Sequence, residues 1–200
     1  MRGGYPITPA RERLFLRRER WYPAAMTDAI VRPMITAEQI AARVRELGEQ
    51  ISKDYADRRL VLVCVLKGSF IFTADLARSI SSHLRVEFLG VRSYGEGTSS
   101  SGIVQITQDL SRSIEGEDIL IVEDIVDTGL TIAHLLDLLR TRKPASLKVC
   151  ALLHKPARTR VEVPIHYLGF TIDDKFVVGY GLDWAERYRN VPFIGVVEAS

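Results

Sequence analysis

The chain has 200 residues, of which 46% are hydrophobic, and its 27 lysines and arginines against 25 acids leave a net charge of +2. That balance excludes the sequence-wide positive field that would draw nucleic acid, and the length suits one domain with an ample core. No apolar run approaches the roughly 18 residues of a membrane helix, and Cys64 and Cys150 sit inside apolar runs, not in metal or redox spacing. The expectation is a protein of the reducing cytoplasm with no membrane partner.

Residues 1–25 are rich in arginine and proline and show neither helical nor strand period. Glu12, Glu19 and the lack of serine argue against a transit peptide, and no apolar core supports secretion. We read a loose N-terminal extension, with Met26 as an alternative start, ahead of one domain over residues 26–200. Structure is expected to begin near Pro33. Thr36 with Gln39 has the form of a capping box, and Ile40, Val44, Leu47 and Ile51 then share one helical face.

Leu60–Leu66 is a continuous apolar run, which suits a strand buried on both sides. It passes into Lys67-Gly68-Ser69, followed by Phe72, Leu76 and Ile80 at helical spacing: a strand, a loop with anion-site character, and a helix. Arg85–Val91 predicts the next strand. It leads into Arg92–Gly102, a glycine- and serine-rich run too polar to pack a core, which returns through Ile103–Leu110 to a turn at Glu115-Gly116.

The stretch from Asp118 to Thr131 organises the chain. Ile119–Val122 is apolar, Glu123 and Asp124 end the run, Asp127-Thr128-Gly129 makes a tight loop, and Ile132, Leu135, Leu136 and Leu139 fall on one helical face. A loop opening a helix aims backbone N–H groups and the positive end of the helix dipole at one point, which is an anion site. Gly129 is expected to let the backbone approach the ligand, while Thr128 and Thr131 add hydroxyl donors. The neighbouring acids cannot bind a phosphate, but they can accept from vicinal hydroxyls or hold a divalent cation. A phosphate beside a diol describes a ribose 5-phosphate.

Leu147–Leu153 is a further buried strand, with Lys155 just past its end, where open α/β sheets bind ligands. Phe176–Tyr180 reads as a short strand, with Asp183 and Arg189 following.

The segment from Glu123 to Thr131 resembles the 5-phosphoribosyl pyrophosphate signature of the type I phosphoribosyltransferases. Leu66-Lys67-Gly68-Ser69, the triplet Ser93-Tyr94-Gly95 and KFVVGYGLD over residues 175–183 resemble the hypoxanthine-guanine branch, and the likeness spans about residues 34–197. It implies an α/β fold: a parallel-sheet core with helices on both faces and a small hood built from terminal segments. It implies purine salvage, the Mg²⁺-dependent transfer of phosphoribosyl to N9 of hypoxanthine or guanine, giving IMP or GMP and pyrophosphate.

By the same resemblance, Asp127 is the catalytic acid or base. Lys67, Gly68, Glu123, Asp124, Asp127, Thr128, Gly129, Leu130, Thr131 and Arg189 bind phosphoribosyl pyrophosphate. Lys155, Phe176, Val177 and Asp183 bind the purine, and Glu123, Asp124 and Asp183 hold the metal. Ser93 and Tyr94 belong to a catalytic lid, the peptide before Lys67 is cis, and the assembly is a homodimer or homotetramer. Leu130 departs from relatives that carry lysine there, so the phosphate loop would rely on N–H groups and threonine hydroxyls. The rival reading is a regulator that keeps the fold and binds nucleotide or RNA with little turnover. Against it stand the presence of Lys67, Asp127 and Asp183 and the lack of a basic excess.

Overall fold

A computed structural model describes residues 30–94 and 103–198. The extension 1–25 and residues 95–102 of the lid run lie outside the described residues. In chain order the elements are β1 (Ile30–Ile35), α1 (Ala37–Asp54), β2 (Leu60–Leu66), α2 (Phe70–Ser79), β3 (Leu84–Tyr94), β4 (Ile103–Gln108), β5 (Asp118–Val126), α3 (Leu130–Arg140), β6 (Ser146–His154), β7 (Tyr167–Thr171), β8 (Val177–Val178) and β9 (Ile194–Glu198).

Six strands form the main sheet in the order β4-β3-β2-β5-β6-β7. All its pairings are parallel except the β3–β4 hairpin at the edge. Successive residues of a strand point to opposite faces, and here both faces are covered. Leu60, Leu62, Leu120 and Val122 join Ile40, Val44, Leu47 and Ile51 of α1 and Phe72 and Leu76 of α2 in one core. Val61, Val63, Ile119 and Ile121 join Ile132, Leu135, Leu136 and Leu139 of α3 in the other. Double-sided burial is the reason β2 and β5 read as unbroken apolar runs. Truncating one of these leucines to alanine would cost about 2–5 kcal/mol.

The capping box at α1 is formed: Thr36 Oγ1 accepts from Gln39 N at 3.2 Å, and Thr36 N donates to Gln39 Oε1 at 2.8 Å. The expected hood is a second sheet, three-stranded and antiparallel, in the order β1-β9-β8. Two expectations need correction here. A strand is already present at Ile30, ahead of Pro33, which lies inside β1, an edge strand whose register shifts between Pro33 and Ile35. An edge strand at a bulge is where a residue without an N–H is tolerated. The strand expected over Phe176–Tyr180 shrinks to Val177–Val178, because Gly179 (φ 98°) and Tyr180 (φ 49°) turn the chain out of the extended region.

β2 lies between β3 and β5, so the order of winding reverses there. In open α/β sheets the crevice beyond the carboxyl ends at such a point takes the ligand.

Candidate active site

The crevice opens because β5 outlasts its pairing with β2. That ladder ends at Cys64 opposite Val122, while β5 stays paired with β6 as far as Val126 opposite His154. From Glu123 onward one side of β5 is therefore open, and the acidic pair sits there. Glu123 is buried, its Oε2 accepts no hydrogen bond, and burial with the Asp124 charge beside it pushes its carboxyl well above the ordinary range. Burial likewise lifts Asp124 to about 6, opposed by the N–H groups of Ile125 and of Asp124 itself and by the Arg189 charge. The Ile125 N–H donates to Asp124 Oδ1 at 2.8 Å.

The next turn carries Asp127, Thr128 and Gly129 into α3. Gly129 has φ 81°, and a Cβ there would strike the Val161 carbonyl. Glycine is thus needed for the left-handed turn and for the close approach of the Val161 carbonyl, a constraint of the fold that the sequence does not display. Arg160 N and Val161 N both donate to Thr128 O, at 3.0 and 3.1 Å, so the connection after β6 braces this loop from behind. Leu130 and Thr131 begin α3 half-buried, and Leu130 N lies 3.4 Å from Thr128 Oγ1.

Across the crevice the Leu66–Lys67 peptide is cis, as the resemblance implied. Lys67 Nζ meets Glu186 Oε1 at 3.0 Å, and Arg189 Nη2 meets Asp183 Oδ1 at 2.7 Å and Glu186 Oε2 at 3.5 Å. Arg189 Nη1 also donates to Gly181 O at 2.8 Å. Asp183 accepts from Glu186 N at 2.8 Å, and Lys67 holds the Glu186 carboxyl below its ordinary range. Gly68 lies so close to Asp124 that a Cβ would overlap its carboxylate. Ser69 is turned away, buried and donating to Val65 O at 2.7 Å.

Lys67, Gly68, Asp124, Asp183, Glu186 and Arg189 line a cavity of about 660 Å³, closed on its far side by Gly90, Arg92, Thr107 and Gln108 of the β3–β4 hairpin. Sequence reasoning missed Glu186 and these hairpin residues. Glu186 has no motif signal of its own and is brought to Lys67 by a loop 119 positions later in the chain. Ser93 and Tyr94 end β3 at the root of the run expected to be a lid.

A second cavity, of about 220 Å³, adjoins the first and shares Asp124 and Asp183 with it. Its walls bring together Asp127, Lys155, Phe176 and Val177. Lys155 is buried, with Asp174 Oδ1 at 3.9 Å from its ammonium. Phe176 is 54% exposed and forms a T-shaped pair with Trp184, centroids 6.4 Å apart. Trp184 in turn stacks on Tyr188 at 6.5 Å. Asp127 Oδ1 lies 3.2 Å from Arg158 Nε, an ion pair whose geometry aligns no hydrogen bond. Arg158 and Asp174 were not singled out in the sequence.

Residues 34–184 match the phosphoribosyl transferase domain family. The chain is 52% identical to the hypoxanthine-guanine phosphoribosyltransferase of Dictyostelium discoideum over 166 residues, covering 81% of this chain and 92% of that protein. The chain belongs to the hypoxanthine-guanine phosphoribosyltransferase family. It is also 46% identical to the Bacillus subtilis hypoxanthine-guanine phosphoribosyltransferase, over 88% of this chain and 97% of that one. A crystal structure of a Staphylococcus aureus hypoxanthine phosphoribosyltransferase superposes with a TM-score of 0.84 at 44% identity, covering 89% of this chain and 96% of that one.

The family resemblance carries a magnesium ion. Among the described residues no three of His, Cys, Asp and Glu come together as a ready-made metal cage, and Asp183 is engaged with Arg189. Magnesium prefers one or two carboxylates plus substrate phosphate oxygens, so the oxygen donors here fit that ion. Asp124 and Asp183 share both cavities, and Glu123 keeps a buried oxygen without a donor. No described helix is long and apolar enough to cross a membrane.

Proposed function

We propose that the chain transfers the 5-phosphoribosyl group of phosphoribosyl pyrophosphate to N9 of hypoxanthine or guanine, releasing pyrophosphate and IMP or GMP. The observation that carries this reading is the pair of joined cavities. One gathers Lys67 and Arg189 beside Asp124, Asp183 and Glu186, and the other brings a buried lysine, Asp127 and an exposed aromatic ring around one small space.

In this reading Glu123 and Asp124 accept hydrogen bonds from the ribose hydroxyls. The first turn of α3, with Thr128 and Thr131, takes the 5-phosphate on its N–H groups. The bond from C1′ to pyrophosphate breaks ahead of attack by N9, so positive charge develops on the ribose ring and negative charge on the leaving group. Lys67 and Arg189 stabilise that leaving charge, having been placed before the reaction begins. When bound, Mg²⁺ would be held by Asp124 and Asp183, with Glu123 close behind, and would neutralise pyrophosphate oxygens. The N7–H tautomer of the purine gives up its proton as N9 bonds to C1′, and the Asp127 carboxylate accepts it.

Phe176 stacks on the purine and the Val177 backbone reads its edge. Lys155 can only donate, so it pairs with O6 of a 6-oxopurine and meets the 6-amino group of adenine unsatisfied. Leaving that buried donor unpaired costs about 1–3 kcal/mol or more, which is the basis of selection. The lid carrying Ser93 and Tyr94 would shield the ribosyl cation from water. We further propose a cytoplasmic homodimer or homotetramer. Placement of Asp127, Lys67 and Asp183 around connected cavities favours turnover over a binding-only regulator. Steady-state formation of IMP from hypoxanthine and phosphoribosyl pyrophosphate, with GMP formation from guanine beside it, is the test. Adenine accepted as readily as hypoxanthine would overturn the reading.

A further inference from the structure

Lys155 and Asp127 stand on different loops, yet to serve one purine they must keep a constant spacing. Two residues outside the motifs connect them. After β6, Pro156–Arg158 forms a single 3₁₀ turn, and Lys155 N donates to Val126 O at 3.0 Å, tying the turn to the end of β5. From this turn Arg158 directs Nε to Asp127 Oδ1 at 3.2 Å and Nη1 to Asp174 Oδ2 at 3.7 Å. The other Asp174 oxygen, Oδ1, faces Lys155 Nζ at 3.9 Å. Lys155, Asp174, Arg158 and Asp127 thus make one chain of alternating charge, which runs from the buried amine to the carboxylate.

Each link suits a task. A buried ammonium without a counter-ion is strongly disfavoured, and Asp174 supplies one. At 3.9 Å the pair is loose enough for the amine to donate to a carbonyl while keeping its partner. The guanidinium is planar and forked, so Arg158 can hold two carboxylates at a set angle, which a lysine cannot. The Arg158 Nε contact is to Oδ1, which leaves Oδ2 of Asp127 for the base. Resting on the proposed role of Asp127, we infer that Arg158 is a positioning residue for proton transfer at N7. Asp174 is the link that couples it to O6 recognition by Lys155.

The test is a double-mutant cycle on the full chain with hypoxanthine as substrate. Arg158→Gln should lower kcat by about 10–10²-fold, the reach of a misplaced catalytic group, with KM for phosphoribosyl pyrophosphate within about twofold of wild type. In an Asp127→Asn background the same change should have little further effect, because Arg158 acts through that carboxylate. Arg158→Lys should recover part of the loss. Asp174→Asn should lower kcat and also raise KM for hypoxanthine, since it touches both ends of the chain. An equal fall in both backgrounds would overturn the inference, as would an unchanged kcat in Arg158→Gln. Wild-type turnover in Asp127→Asn alone would instead remove the base role on which it rests. Melting temperatures of the variants separate loss of fold from loss of position.

Discussion

On the floor of the site Glu123 and Asp124 sit side by side on β5 with one carboxylate oxygen accepting nothing, whereas on its walls Lys67, Lys155 and Arg189 each face a carboxylate of the same chain. The difference separates two jobs. A ribose brings hydroxyl donors to acceptors that lack them, and satisfying such a buried group is worth about 1–3 kcal/mol. A phosphate or purine reaching the walls exchanges one partner for another, so its net gain there is smaller. The floor therefore supplies affinity, and the walls supply placement and choice.

The largest expected effect tests the boundary between the two. Asp127→Asn should lower kcat by about 10²–10⁴ while KM for phosphoribosyl pyrophosphate stays near wild type, because the floor is untouched. A parallel loss of substrate affinity, read by calorimetry, would place Asp127 on the floor instead. Next is Gly68→Ala, whose new methyl would displace the Asp124 carboxylate. Moving a floor group by about 1 Å should cost roughly 10²-fold in kcat/KM for phosphoribosyl pyrophosphate. A smaller change than in any wall variant would erase the distinction.

On the walls, Lys155→Gln should cut kcat/KM for hypoxanthine and guanine about tenfold and narrow the gap to adenine, since the amide can accept as well as donate. Unchanged selectivity in competition assays would move O6 recognition elsewhere. Glu186 competes with pyrophosphate for Lys67, which is exposed, and for Arg189, which is largely buried. Glu186→Gln should lower KM for phosphoribosyl pyrophosphate by about twofold, the scale of an exposed pair. A rise in KM would mean that Glu186 positions the cations for the ligand.

The smallest effect is on stability. Asp124 titrates at about 6 in the folded chain, above its ordinary 3.8, so the native state holds the extra proton between those values. Its contribution is therefore fully present below about 3.8 and is lost as pH rises through about 6. Asp124→Asn does not titrate, so the wild-type melting temperature should fall relative to the variant by about 2–4 °C from pH 4 to pH 7. The low figure reflects an acid that lines an open cavity. A difference that grows in the wild type's favour with pH would reverse the sign of its environment.

Much of this division was readable from residues alone. β2 and β5 are apolar on both faces because helices cover both faces, and α1 announced itself through Thr36 and Gln39. Asp127, Lys155 and Phe176 stood out only because strand ends and a family resemblance marked them. β7 and β9 escaped notice, being five residues each without a clean alternation. The partners of the wall cations were invisible for a different reason. Lys67 with Glu186, and Lys155 with Asp174, meet through loop geometry, and no periodicity encodes where two loops converge. The packing of Gly129 against Val161 was hidden on the same ground, since Val161 lies on a connection whose path the sequence does not display.

The hood has a consequence for the order in which the protein is made. Among the described residues β1 sits at the sheet's edge and pairs with β9 alone, whose first residue, Ile194, is synthesised 159 positions after the last residue of β1, Ile35. At about 5–20 residues per second, translation leaves β1 waiting roughly 10–30 s for that partner. The main sheet, complete at Thr171, can assemble meanwhile. Throughout that interval a six-residue strand, apolar but for Arg32, presents an unpaired edge, the kind of surface that recruits other chains. Pro33 and the register shift beside it break the regularity of this edge, so the same irregularity that hid β1 from a sequence reading would guard the nascent chain against aggregation.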